Sequence, residues 1–491
     1  MEKYFEDGLF SFPHVPENAS GEVILGSLYR ALELSPIKEN QVGAEAKKFK
    51  KNVLRGYKKN NISSPSKLTD ELFIHIIEKL IESPRLKNQN RRDVFFLSPL
   101  IPELASYGSV ARYQGNPWNP GDYLIQMIFR GSQDGSDPKE TISNLREALQ
   151  VNPPKEEAQY ADDIWSFFLQ KEFEAWRSQD FPVINNNPQI KSKPRINFDN
   201  EFDFPARLFT KDIKILLELK GKLTRKRWIG ILESYLRLII TLDVLWICHI
   251  QAVLLEIIKN QFSNESVDLD TAVIQEKFSK FQFFTITSKT KPVLSEFVSK
   301  YIKSSLILQE IKKILEEKAC YPAIDFSIEN ILQFINSTKS NIAKNEFDKV
   351  IHKINEQLDA NIGILYGGIS SRSKNLSEFL NYVPARRATA IAVKSSYDQG
   401  YWYNKANPSR NAPWVFEPGP AALTALLQCC CESLGLDFVS IGDLIQFLAT
   451  YGIKTNEVEL SHGRSGQVLR GLGYIYDSPD AEGGIMIRKP Y

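Results

Sequence analysis

Residues 469–491 read LRGLGYIYDSPDAEGGIMIRKPY. The tail of an apolar helix, carrying Leu469 and Leu472, runs into two short strands, YIY and IMI, and between them DSPDAEGG supplies the proline, aspartate and glycines of a turn. A hairpin directly behind a helix is the way a winged helix closes. The preceding residues agree. From Gly419 to Gly435, Pro420 fits a first helical turn, Leu423, Leu426, Leu427, Cys430 and Leu434 share one face, and Gly435 marks the end. Ser440 is placed to cap a second helix bearing Ile441, Leu444, Ile445, Leu448 and Tyr451, which Gly452 stops. A third helix is expected from Gly466 to Leu472, so three helices and a hairpin spell a winged helix-turn-helix.

Such a unit binds either DNA or protein, and its outline does not choose between them. Charge favours protein. Between Gly419 and Tyr491 the basic residues are Lys454, Arg464, Arg470, Arg488 and Lys489, against the acidic Glu432, Asp437, Asp443, Glu457, Glu459, Asp477, Asp480 and Glu482. An acidic hairpin tip, with Asp477, Asp480 and Glu482, would be repelled by the phosphates that supply most of the affinity of a DNA-binding module. Tyr474, Tyr476, Asp477, Asp480 and Glu482 are therefore the expected partner-binding residues. His462, Arg464, Gln467 and Arg470 on the third helix sustain the alternative, a DNA-binding regulator.

Outward from this unit, 491 residues imply several domains. The expected fold is mainly α and multidomain: an N-terminal mixed or helical domain over 1–193, a helical central domain over 194–395, and an aromatic-rich docking segment with the winged helix over 396–491. The Asn-rich, proline-punctuated stretch around Lys193 marks the first boundary. In the N-terminal part, helical spacing predicts helices over 64–83 and 156–178, with the proline- and glycine-rich residues 95–124 between them as a strand or turn-rich insertion. The middle third carries stripes at helical spacing: Leu294, Phe297, Val298, Tyr301 and Ile302, then Leu308, Ile311 and Leu315, and later Phe347, Val350, Ile351, Ile354 and Leu358. Tyr397, Tyr401, Trp402, Tyr403, Trp414 and Phe416 would be costly to leave in water, so their segment is expected to dock.

WIGILESYLRLIITLDVLWICHIQAVLLEII, residues 228–258, is the most apolar stretch, but Glu233, Arg237, Asp243, His249 and Glu256 interrupt it too often for a membrane span. It is expected to be a core helix. The five cysteines, Cys248, Cys320 and Cys429 to Cys431, form no zinc spacing and suit buried thiols in a reducing compartment, with the cytoplasm as the default. Histidines 14, 75, 249, 352 and 462 are scattered. With no GK[ST] phosphate loop and no GxGxxG, the sequence assigns no catalytic residue, no metal ligand set and no cofactor.

Net charge is only +2, so an electrostatic partner must be met locally. The strongest local excess runs from Pro205 to Gly230. Within GKLTRKRW and the residue before it, Lys220, Lys222, Arg225, Lys226 and Arg227 are candidate nucleic-acid contacts, joined by Arg464 and Arg470. A solvated helix junction is the plainer reading of the same run. A metal-dependent nuclease is a third possibility, because Asp203 precedes Glu218-Leu219-Lys220 as metal-binding carboxylates precede a lysine in restriction endonucleases. That chemistry needs the carboxylates on adjacent strands, and IKILLELK suits a helix at least as well.

The pattern LATYGIK (448–454) followed by VLRGLGYIYDSPDAEGGIMIRKPY (468–491), with GYWY (400–403) before it, resembles the C-terminus of accessory proteins of bacterial phosphorothioation-dependent restriction operons, the DptG-type subunits, and of related phage-defence cassettes. The resemblance implies a non-catalytic adaptor working beside a co-encoded ATPase or helicase and a separate effector subunit. DNA is a further partner it allows, and no membrane is involved. It carries over no catalytic residue.

Overall fold

The computed structural model describes residues 21–34, 69, 72, 99–102, 120–132, 137–151, 165–170, 203–263, 269–322, 328–359, parts of 376–384, 400–476 without 408 and 410, and 485–491. The architecture is mainly α. In chain order the helices that frame the core are α1 (Gly21–Ala31), α2 (Pro120–Gly131), α3 (Pro138–Leu149), α4 (Pro205–Glu218), α5 (Arg225–Gln261), α6 (Thr271–Ser279), α7 (Thr290–Glu317), α8 (Ile328–Asn341) and α9 (Lys344–Asp359). A short strand, β1 (Phe284–Thr285), lies between α6 and α7. The C-terminal part follows as β2 (Tyr403–Lys405), β3 (Trp414–Phe416), α10 (Pro420–Leu434), β4 (Phe438–Ser440), α11 (Ile441–Thr450), β5 (Ile453–Lys454), α12 (Glu457–Ser461), α13 (Arg464–Gly471), β6 (Ile475–Tyr476) and β7 (Met486–Arg488).

Helix α5 is the axis. Its 37 residues extend over roughly 55 Å at 1.5 Å per residue. From Ile231 to Cys248 it is buried without a break, with α1, α4, α7, α8 and α10 packed around it. α5 is long and apolar enough to cross a membrane, but most of that surface is covered by the protein's own helices. The buried acids among the interrupting residues explain how such a helix tolerates burial on all sides: both are paired. Asp243 accepts both guanidinium nitrogens of Arg130, at 2.5 and 3.3 Å, and the Tyr123 hydroxyl. Glu233 pairs with Arg237 one turn on, at 2.5 Å.

The aromatic segment docks. Trp402 and Phe416 are fully buried, and Tyr401 and Tyr403 nearly so. The Trp402 indole donates to the Ser234 carbonyl at 2.8 Å, while Ser234 Oγ and Arg237 both reach the Gly400 carbonyl. β2 and β3 pair antiparallel, with Tyr403 opposite Phe416. One continuous apolar cluster reaches from Ile24 to Ile487. The expected boundaries at 193 and 395 lie outside the described residues, and this cluster contains side chains from all three expected domains.

Two local expectations need correcting. Pro120 and Gly121, taken for part of a turn-rich insertion, begin α2: proline occupies the first turn, and Gly121 lets the two backbones touch, since a Cβ there would stand 2.3 Å from the Ser27 carbonyl oxygen. IKILLELK is the helix its pattern suited, ending in a 3₁₀ turn, and so is not the strand that the nuclease reading required. The helix expected over 64–83 lies almost wholly outside the described residues, and that over 156–178 is helical where it is described, at 165–170.

Candidate interaction surface

The C-terminal unit begins with α10, which starts at Pro420 and ends at Gly435 in the left-handed conformation. Ser440 caps α11 in a capping box: its hydroxyl accepts from the Asp443 N–H, and the Asp443 carboxylate accepts from the Ser440 N–H. α12 and α13 follow, the former unforeseen in the sequence. The three closing strands form an antiparallel sheet in the order β4-β7-β6, with Phe438 opposite Arg488, Ser440 opposite Met486, and Ile475 opposite Ile487.

Alternation along the strands sets which side chains face water. Val439, Ile475 and Ile487 point into the core, while Phe438, Met486 and Arg488 are exposed. The connection from α10 to β4 adds Leu434 and Leu436, so four large apolar side chains, each between 37% and 49% exposed, stand on the sheet or in the segment that leads into it. Large side chains left out in this way mark binding surfaces when they gather. No periodicity predicted this patch, because it combines a helix end, a turn and two strands. The only signal was LGLDF, apolar at a turn where polar residues suffice.

The expected partner-binding residues fall differently. Tyr474 is not a surface residue: it is 7% exposed, and its hydroxyl lies 3.4 Å from that of Thr424. It closes the core behind α10. Tyr476 contributes backbone pairing to Met486, and Asp477, Asp480 and Glu482 lie outside the described residues.

The cations expected to meet DNA are dispersed. Arg225 is buried, and its guanidinium donates to the carbonyls of Leu100 at 2.8 Å, Leu149 at 2.7 Å and Gln150 at 3.3 Å, while lying over the Trp228 ring. Lys220, also buried, donates to the Gln150 carbonyl at 2.9 Å. These two therefore close the C-terminus of α3, where a helix presents unsatisfied carbonyls and partial negative charge. They are internal, not phosphate contacts. Lys222 and Arg227 are exposed and Lys226 is half-buried, and the Arg227 guanidinium lies 5.4 Å from the Tyr491 ring centre.

His462, at the end of α12, and Arg464 and Gln467 on α13 face solvent, but Arg464 pairs with the buried Glu417 at 2.7 Å, and Arg470 donates to the Ser461 carbonyl. The N-terminus of α13, which could otherwise receive a phosphate, holds the Glu459 carboxylate, which accepts from the Ser465 N–H at 3.2 Å. Gly463 makes room for it, because a Cβ there would fall 2.1 Å from a Glu459 oxygen.

The nuclease constellation does not assemble. Asp203 precedes α4 and Glu218 ends it, so its 14 residues set them roughly 20 Å apart, and the Lys220 ammonium is spent on Gln150. Among the described residues no cluster of histidine, cysteine, aspartate and glutamate suits a metal ion. No protein-family model matches the chain, and no curated protein aligns with it significantly.

Proposed function

We propose that this protein is a non-catalytic adaptor that works in the cytoplasm, in an anti-phage defence or DNA-restriction complex beside a co-encoded ATPase or helicase and an effector subunit. In this reading the C-terminal unit is a winged helix-turn-helix that grips protein. One observation carries it: Phe438 and Met486 on the terminal sheet and Leu434 and Leu436 in the segment leading into it are exposed, while the N-terminus of α13 holds the Glu459 carboxylate. Buried apolar anchors supply most of the energy of a protein interface. Four of the five cysteines are buried and all are free thiols, as suits a reducing compartment. The DptG-type resemblance supplies the kind of partner.

The test is reconstitution with the products of the adjacent genes. Phe438→Asp with Met486→Asp should abolish a complex that the parent chain forms, with an unchanged unfolding midpoint. A complex of parental affinity in that variant overturns the reading. A DNA-binding regulator is the second reading, favoured by the half-exposed Arg464 beside exposed Gln467 and His462; it requires that Arg464→Glu lower sequence-specific DNA retention.

A further inference from the structure

The basic run from Pro205 to Gly230 separates into two populations. Arg207, Lys220 and Arg225 are buried, and the latter two close α3. Lys226 is half-buried, and Lys211, Lys214, Lys222 and Arg227 face water. On α4 the only fully exposed positions are Lys211, Lys214 and Glu218, which share one side of the helix at three- and four-residue steps. Lys222 continues the ridge in the turn after α4, and Arg227 stands at the start of α5. Among the described residues neither Lys211, Lys214 nor Lys222 has an ion-pair partner, although seven other lysines do: Lys280, Lys300, Lys312, Lys313, Lys318, Lys353 and Lys489. Four cations thus face solvent between residues 211 and 227, and Glu218 is the one exposed carboxylate in that stretch.

The composition of this ridge indicates what it meets. Exposed large hydrophobic residues occur at Leu72, Trp165, Leu434, Leu436, Phe438, Val458 and Met486, and none lies between 205 and 230. A protein-binding patch would have an apolar or aromatic centre and few lysines. A row of lysines without one fits a ligand with regularly repeated negative charge, whose backbone is held without regard to sequence. We propose that Lys211, Lys214, Lys222 and Arg227 form a contact surface for the phosphate backbone of nucleic acid. This surface shares no residue with the sheet face on which the adaptor reading rests, so either can fail alone.

The experiment uses the full chain and a labelled mixed-sequence duplex of about 30 base pairs, followed by fluorescence anisotropy from about 50 to 200 mM salt. The parent should bind with a log–log salt slope of about −3 to −4, since each neutralised phosphate contributes about −0.9. Lys211→Glu, Lys214→Glu and Lys222→Glu together should weaken binding at least tenfold, roughly, and flatten the slope by about three. Arg464→Glu should change neither. An unchanged unfolding midpoint establishes that the triple variant is folded; if it is not, Lys214→Glu and Lys222→Glu are read singly, each expected to flatten the slope by about one. The proposal falls if the charge-reversed chain binds like the parent, if the parent shows no salt-dependent binding, or if polyglutamate at equal charge competes as well as DNA.

Discussion

Tyr451, just beyond α11, donates its phenolic hydrogen to the carboxylate of Asp212 on α4, 239 positions earlier in the chain. Tyr235 of α5 lies 3.2 Å from the Tyr451 oxygen, and the Cys429 thiol of α10 sits against the Asp212 carbonyl. The joint is continued by main chain: Phe283 and Phe284 donate to the Gly452 carbonyl, and β1 pairs parallel with β5. The C-terminal unit is therefore built into the helical body and not strung from it.

Burial pushes the Asp212 carboxyl up to about 6, opposed by the Tyr451 hydroxyl and Lys211 and assisted by Asp203. A carboxyl raised above its unfolded value takes up a proton on folding, so its contribution is complete below the unfolded pKa near 3.8 and disappears as pH rises through 6. Relative to Asp212→Asn, the parent should gain about 1–2 kcal/mol on going from pH 7.5 to 5. Urea unfolding of both proteins at the two pH values checks this; parallel pH profiles would refute it.

Arg225→Met should destabilise by roughly 3 kcal/mol or more, because the carbonyls of Leu100, Leu149 and Gln150 lose their donor in a buried site. Lys222→Glu, three positions earlier and exposed, should stay within about 0.5 kcal/mol of the parent. Denaturant midpoints that moved equally would show that the two cations are not divided between interior and surface.

Asp243→Ala should cost about 3–5 kcal/mol, since it leaves the Arg130 guanidinium uncompensated beside α5. Adding Arg130→Met should recover part of that loss by removing the stranded charge. A double-mutant cycle in urea measures the recovery, and strict additivity would contradict the pairing.

Gly121→Val should destabilise by at least roughly 1–3 kcal/mol, because the obstacle at Ser27 is backbone and cannot rotate away. Thermal unfolding reports it directly.

The terminal unit was legible because its signals are local. Pro420, Gly435, Ser440 and Gly452 each act on the backbone within a turn of where they stand, and the helices begin and end there. The stripes of α7 were legible for the same reason, Leu294, Val298, Ile311 and Leu315 all being buried. The basic run was not. Arg225 and Lys222 look alike in sequence, and only the arrival of the α3 C-terminus makes one an internal cap and leaves the other in water.

What the amino-acid order determined by itself was helix content, caps, the apolar core stretch of α5 and the need for its charged residues to be met. Which residue met each buried acid was a tertiary decision: Asp243 of α5 by Arg130, Asp212 of α4 by Tyr451, and Glu417 by Arg464. Periodicity and capping depend on neighbours a few positions away, whereas ion pairing and exposure depend on which helices pack together. The candidate surface, with Phe438 and Met486 diagonal to each other on paired strands and 48 positions apart in the chain, belongs to that second class.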